Sequence, residues 1–138
     1  MYGKLDLTER DMEGNIIITD FKTGKPKTKG EIEKLDEENR LSSYMRQLAM
    51  YSYLVAGAEK GKEVSASRLM FLEGDAKDKN SLYSTYIDKE KIDLLKKDIY
   101  DYSKSLESGE WTNLTCHFKP WGSNKDECEY CILKSRIV

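Results

Sequence analysis

Apolar and polar residues alternate over residues 2–9 (YGKLDLTE), the period of a strand with one face buried. Residues 15–22 (NIIITDFK) are rich in β-branched side chains and read as a second, more buried strand. Between them DMEGN holds Gly14 and Asn15, which tolerate positive φ, so the two strands are expected to form an antiparallel hairpin. Residues 23–39 (TGKPKTKGEIEKLDEEN) read as an exposed, mobile connection. Leu41, Tyr44, Leu48, Tyr51 and Val55 then recur in alternating steps of three and four, predicting a helix over 40–59 with Gly61 near its end. Residues 64–73 and 81–87 read as two more strands, separated by the turn-rich GDAKDKN. Ile92, Leu95, Ile99, Tyr102 and Leu106 repeat the helical step. Asp88 is its expected N-cap, with Lys91 where a capping box has Glu, and Gly109 ends the helix. From Trp111 onward there is little periodicity. The order is β-β-α-β-β-α with an irregular tail: an α/β chain whose mixed sheet carries flanking helices.

Composition narrows this only a little. The 138 residues suit one domain with a real core, and 35% charged against 38% hydrophobic residues is a globular balance. The formal net charge of -2 provides no global attraction for nucleic acid, so any such binding must come from a local site. No apolar run approaches the roughly 20 residues that span a bilayer, and no signal-peptide stretch is present, so a cytoplasmic location without a membrane partner is expected. The three cysteines fall at 116, 128 and 131. An odd count without an export signal argues against a disulfide framework and for free thiols or metal ligation.

The chemistry is concentrated in the hairpin. With the turn centred on Glu13, facing residue numbers sum to 26, which sets Asp6 opposite Asp20. Facing Cβ atoms lie about 4.5–5.5 Å apart, and like charges there are destabilising. Such a pair calls for a cation, a shared proton or another register. A hard divalent ion such as Mg²⁺ accepts one or two carboxylates and keeps several waters. Lys22, two residues beyond Asp20, projects to the same strand face and sets an ammonium beside them. That set suits phosphodiester hydrolysis, although ordinary surface charges at hairpin ends fit the spacing equally well. Gln47 and Tyr51 stand at i,i+4 on the first helix and reach one spot. Tyr51 alone reads as core, whereas Gln47 flanks the apolar stripe where it reaches toward the sheet.

Gly3-x-x-Asp6, Asp20-x-Lys22-Thr23-Gly24 and Gln47-Leu48-x-x-Tyr51, in this order, resemble the successive motifs of the RecB/AddB-like PD-(D/E)XK nucleases. These include nuclease domains of bacterial helicases and CRISPR-associated RecB-like exonucleases. The resemblance runs over most of residues 3–109 and implies a restriction-endonuclease-like core over residues 1–110, with 111–138 as a cysteine-containing tail. It implies that Asp6 and Asp20 are metal ligands with the Phe21 backbone carbonyl, and that Lys22 is the catalytic lysine. Gln47 and Tyr51 would contact DNA or support the site. Mg²⁺ or Mn²⁺ dependence, a DNA substrate and attachment to a helicase or repair polypeptide are implied as well.

Two departures stand out. The family has a helix before the first strand that often supplies another metal ligand, and this chain opens directly on strand-like residues, as a fragment beginning after that helix would. Relatives with an iron–sulfur cluster carry Cys-x2-Cys-x5-Cys, and here Cys128 and Cys131 are followed at that spacing by Ile137. Cys116, His117, Cys128 and Cys131 leave three states open: a zinc site, an iron–sulfur cluster, or reduced thiols. Lys25, Lys27 and Lys29 sit where they could meet backbone phosphates, but the acids just after them favour a solvated loop. Trp111, Phe118 and Trp121 suit anchoring the tail on the sheet better than stacking bases. Three functions fit: a metal-dependent DNA nuclease module, a catalytically silent nuclease-fold domain that binds DNA or protein, and a small cysteine-metal interaction module. Keeping Asp6, Asp20 and Lys22 together favours the first.

Overall fold

β1 (Leu7–Arg10), β2 (Ile16–Lys22), β3 (Val64–Phe71) and β4 (Leu82–Thr85) form one sheet whose spatial order follows the chain. The computed structural model describes residues 5–59, 61–74 and 78–109. β1 and β2 are antiparallel, β2 and β3 parallel, and β3 and β4 antiparallel, so the sheet is mixed as expected. A parallel pair needs a crossover of a dozen residues or more. Residues 23–63 supply it, carrying α1 (Lys29–Glu33) and α2 (Ser43–Ala58).

The hairpin register is the one the sequence predicts, from Leu7↔Thr19 to Arg10↔Ile16. Its turn closes on Gly14 at φ 80, with the Asp11 carboxylate accepting the amides of Glu13 and Asn15. β1 is shorter than expected, and Asp6 lies in a bend just before it rather than inside a strand.

Helix α2 differs from its predicted stripe by a rotation. Met45, Leu48, Ala49 and Ser52 are its buried residues, while Tyr44, Tyr51 and Val55 are only half-buried. Small side chains permit the closest approach and are buried there, while Tyr44 and Tyr51 reach the sheet from the flank, against Phe71 and against Ile16 and Ile18. The Ser52 and Ser67 hydroxyls meet at 2.8 Å between α2 and β3, which satisfies both in a dry position. Leu41 is buried ahead of the helix, whose N-cap is Ser42.

The segment expected to be a mobile connection is partly ordered. Thr28 and Glu31 build a capping box that starts α1, and Ile32 is fully buried. Ser42 Oγ donates to the Ile32 carbonyl. The Tyr83 hydroxyl donates to Glu33 at 2.6 Å and touches Met45 Sδ at 3.6 Å, so β4, α1 and α2 share one phenol.

α3 (Lys89–Ser108) starts where Asp88 accepts the Lys91 amide at 2.9 Å, and Lys91 Nζ reaches back to the same carboxylate. The chain clusters into two units, Met1–Asp98 and Ile99–Val138. In the first, Leu95 is fully buried and Arg46 pairs with Asp98 at 3.4 Å. Of the second, the end of α3 is described: Tyr102 and Leu106 are exposed, and Gly109 closes the helix at φ 73. Residues 111–138, with the expected tail and its aromatic anchors, lie outside the described residues. Among the described residues no helix is long and apolar enough to cross a membrane.

Burial first, then the bond to Glu33, pushes the Tyr83 phenol from its ordinary 10.0 up to about 12. The fold therefore prefers the neutral phenol. That preference contributes fully below pH 10 and is lost as pH rises from 10.0 to about 12, because the unfolded chain ionises first. Tyr83→Phe is expected to lose about 1 kcal/mol in urea unfolding at pH 7. Its deficit against the unaltered chain should shrink as the pH climbs through that window. A constant deficit would mean that the phenol is solvated.

Candidate active site

Alternate residues of β2 face α2: Ile16 and Ile18 are buried there, and Asp20 comes next at 3% exposed. The carboxylate thus takes a place that the strand pattern gives to a core side chain, which is costly without partners. Its partners are specific. Lys22 Nζ lies 2.8 Å from Oδ2 and Gln47 Nε2 donates to Oδ1 at 2.9 Å. Oδ2 is closed off from solvent and takes no directed hydrogen bond, so the ammonium serves it by charge alone.

Gln47 organises the group. Its two amide hydrogens go to Asp20 Oδ1 and to the Tyr51 hydroxyl, each at 2.9 Å, and its Oε1 accepts from Lys22 Nζ. Flipping the amide would turn oxygen to carboxylate and NH₂ to ammonium, so electrostatics fixes one orientation. Tyr51, on the next turn of α2, completes the set. The i,i+4 spacing of Gln47 and Tyr51 made this contact legible in advance.

Asp6 joins from the other strand by a different route. The ladder stops at Leu7↔Thr19, and the Phe21 amide that would continue it donates to Asp6 Oδ2 at 2.9 Å. In a strand, N–H and C=O of one residue leave along the same edge. The Phe21 carbonyl therefore leaves β2 on the side where Asp6 stands. The structure brings Asp20, Lys22, Gln47 and Tyr51 into direct contact, and ties Asp6 to them through the intervening backbone of Phe21.

One participant escaped the sequence reading. Lys22 Nζ lies 5.7 Å from the centre of the Tyr44 ring, within cation–π range. Tyr44, Gln47 and Tyr51 share one flank of α2 at i, i+3 and i+7, and that spacing was the available signal. The loop lysines are in part otherwise engaged: Lys27 pairs with Glu31 at 3.6 Å and Lys29 with Glu33 at 3.9 Å. A cavity of about 290 Å³ opens farther along α2 over Leu5, Ile16, Val55 and Ala58, and contains none of the site residues.

The donor set is all oxygen. Two carboxylates and a carbonyl, with one buried carboxylate oxygen lacking a directed hydrogen bond, fit a hard cation that keeps waters of its own. Among the described residues no three His, Cys, Asp or Glu side chains gather, so a cage made of side chains alone is not offered. Cys116, His117, Cys128 and Cys131, with the zinc or iron–sulfur alternatives, lie outside the described residues.

The family model described as the PD-(D/E)XK nuclease superfamily matches residues 1–136. Neither curated proteins nor solved structures yield a match.

Replacing Gln47 by Leu would strand Asp20 Oδ1 and remove an acceptor from Lys22. Loss of about 1–3 kcal/mol in urea unfolding is expected, with the m-value unchanged. An unaltered midpoint would mean that Asp20 finds water instead.

Proposed function

The chain belongs to the PD-(D/E)XK nuclease superfamily, and from that membership we propose that it is a RecB-like, divalent-metal-dependent deoxyribonuclease module of a helicase or DNA-repair polypeptide. Superfamily membership implies nuclease activity, and its nucleases typically use divalent ions. The mixed α/β sheet is the restriction-endonuclease-like architecture. A cytoplasmic location is part of the proposal.

The observation that carries it is the contact set Asp20–Lys22–Gln47–Tyr51 at the end of β2, with a second acid at the start of β1. In this reading Asp6, Asp20 and the Phe21 carbonyl would hold Mg²⁺ or Mn²⁺. When bound, the ion supplies a Lewis acid for the phosphoryl oxygens and a more acidic water.

The chain's own groups do the rest. Lys22 projects an ammonium on the carboxylate face of β2, where it stabilises negative charge growing on the phosphate as water attacks phosphorus. It also orients that water. The P–O bond to the leaving oxygen then breaks, and that oxygen takes up, by way of solvent, the proton that the attacking water gives up. Gln47 keeps Asp20 and Lys22 in register, because its amide is committed to both. Tyr51 takes the second amide hydrogen and so ties the amide to α2 as well. Holding these groups ready before substrate arrives is where most of the rate would come from.

Mn²⁺ and Mg²⁺ titrations with single-stranded and nicked DNA test the proposal. Asp20→Asn and Lys22→Met are expected to lower cleavage about a thousandfold or more while circular dichroism stays unchanged. Equal cleavage by the three proteins would remove the assignment. Binding of DNA without cleavage by the unaltered chain would leave a docking module.

A further inference from the structure

We infer that Tyr44 is a positioning residue for Lys22, its ring face holding the ammonium in place when the Asp20 carboxylate is engaged by a cation; this rests on the nuclease reading above. The Lys22 ammonium has three attractors: Asp20 Oδ2 at 2.8 Å, Gln47 Oε1, and the Tyr44 ring at 5.7 Å. The first is the atom a divalent ion would also engage. Two cationic centres on one carboxylate repel, so Lys22 gives up much of that attraction when the ion arrives. The ring is an uncharged attractor that no metal competes for, because its pull comes from the quadrupole of the π face.

Tyr44 is itself held for the task. Its ring meets Phe71 edge-on, with centroids 6.0 Å apart and planes at 70°. Phe71 is buried and stands beside Lys22 in the parallel register of β2 and β3. The neighbouring strand thus fixes the ring and α2 presents it, while Lys22 comes up from β2 beneath. Plain packing would account for a half-buried tyrosine, and it predicts that any apolar side chain of similar size will serve. A positioning role requires the aromatic face.

Tyr44→Phe keeps that face, and Tyr44→Leu keeps apolar bulk without it. The first readout is NMR of the full chain with ¹³C-labelled lysine, the Lys22 signal being identified by its loss in Lys22→Met. The Lys22 ε-methylene is expected upfield from the ring current, to stay upfield as Mg²⁺ is added, to persist in Tyr44→Phe and to move to the ordinary lysine position in Tyr44→Leu. The second readout is cleavage. Tyr44→Leu is expected to lower kcat about tenfold with KM little changed, as suits a partly desolvated cation–π contact. Tyr44→Phe should stay within about twofold. In the Lys22→Met background Tyr44→Leu should have no further effect. An unshifted Lys22 signal, or a Tyr44→Leu loss that persists in Lys22→Met, would overturn the inference. Should Asp20→Asn and Lys22→Met cleave normally, the nuclease reading fails instead, and the NMR result still decides whether Tyr44 holds the ammonium.

Discussion

A carboxylate at a core position of the sheet is the constraint around which this structure is arranged. Asp20 continues the buried face begun by Ile16 and Ile18, and its position is intelligible only with Lys22 and Gln47 against it. Removing a charge from water costs several kcal/mol, and the attraction of a partner offsets this only when geometry is close. An isoleucine would serve the fold at least as well. Asp20 therefore marks a place where the sequence departs from the choice best for stability, and such departures concentrate where chemistry is done.

The topology explains why the site forms at this end of the sheet. β2 and β3 run parallel, so Lys22 and Phe71 close both strands at the same edge. β1 runs the other way, and its beginning, with Asp6, comes to that edge too. Beyond it the chain departs into separate segments, one leading to α1 and the other to β4. Parallel strands leave their open crevice at the carboxyl ends, and ligand sites in α/β sheets gather there. α2 then lays its first half across the opening, with Tyr44, Gln47 and Tyr51 along one flank. Thus the two acids, the lysine and the helix meet because of strand direction, although 45 residues separate Asp6 from Tyr51.

Much of this was written in the local pattern. Gly14, between an alternating segment and a β-branched one, marked the hairpin turn, and with it the register from Leu7↔Thr19 to Arg10↔Ile16; Asp6 itself leaves that ladder and takes the Phe21 amide. Gln47 stood out as a polar residue beside an apolar stripe. The readings that failed share a cause, which is that tertiary packing decided them. α1 has a single buried residue, Ile32, among charges, so periodicity could not reveal it; the Thr28–Glu31 capping box was the only local sign. The buried face of α2 is rotated because Ala49 and Ser52 are small, and hydropathy ranks tyrosine above serine. Tyr44 looked like core because nothing local says that Phe71 lies beside Lys22. That adjacency belongs to a parallel pairing between strands 42 residues apart, measured from Lys22 to Val64.

The identity of residue 47 follows from the same electrostatics. The position donates to a carboxylate oxygen and to a phenol oxygen and accepts from an ammonium, and the two charged partners require a donor and an acceptor on one rigid group. A primary amide provides that set without carrying charge. Glutamate would match the shape but bring a second negative charge against Asp20, and would have no donor for Oδ1. Lysine would satisfy Asp20 but repel Lys22. Asparagine has the right chemistry on a stem one methylene shorter, too short to span from α2 to β2 without moving the helix. Neutrality matters as much as reach, since a charged group here would upset the pairing of the Asp20 carboxylate with the Lys22 ammonium. The polar residue that first seemed out of place beside an apolar stripe is therefore the one that the surrounding charges leave least free to change.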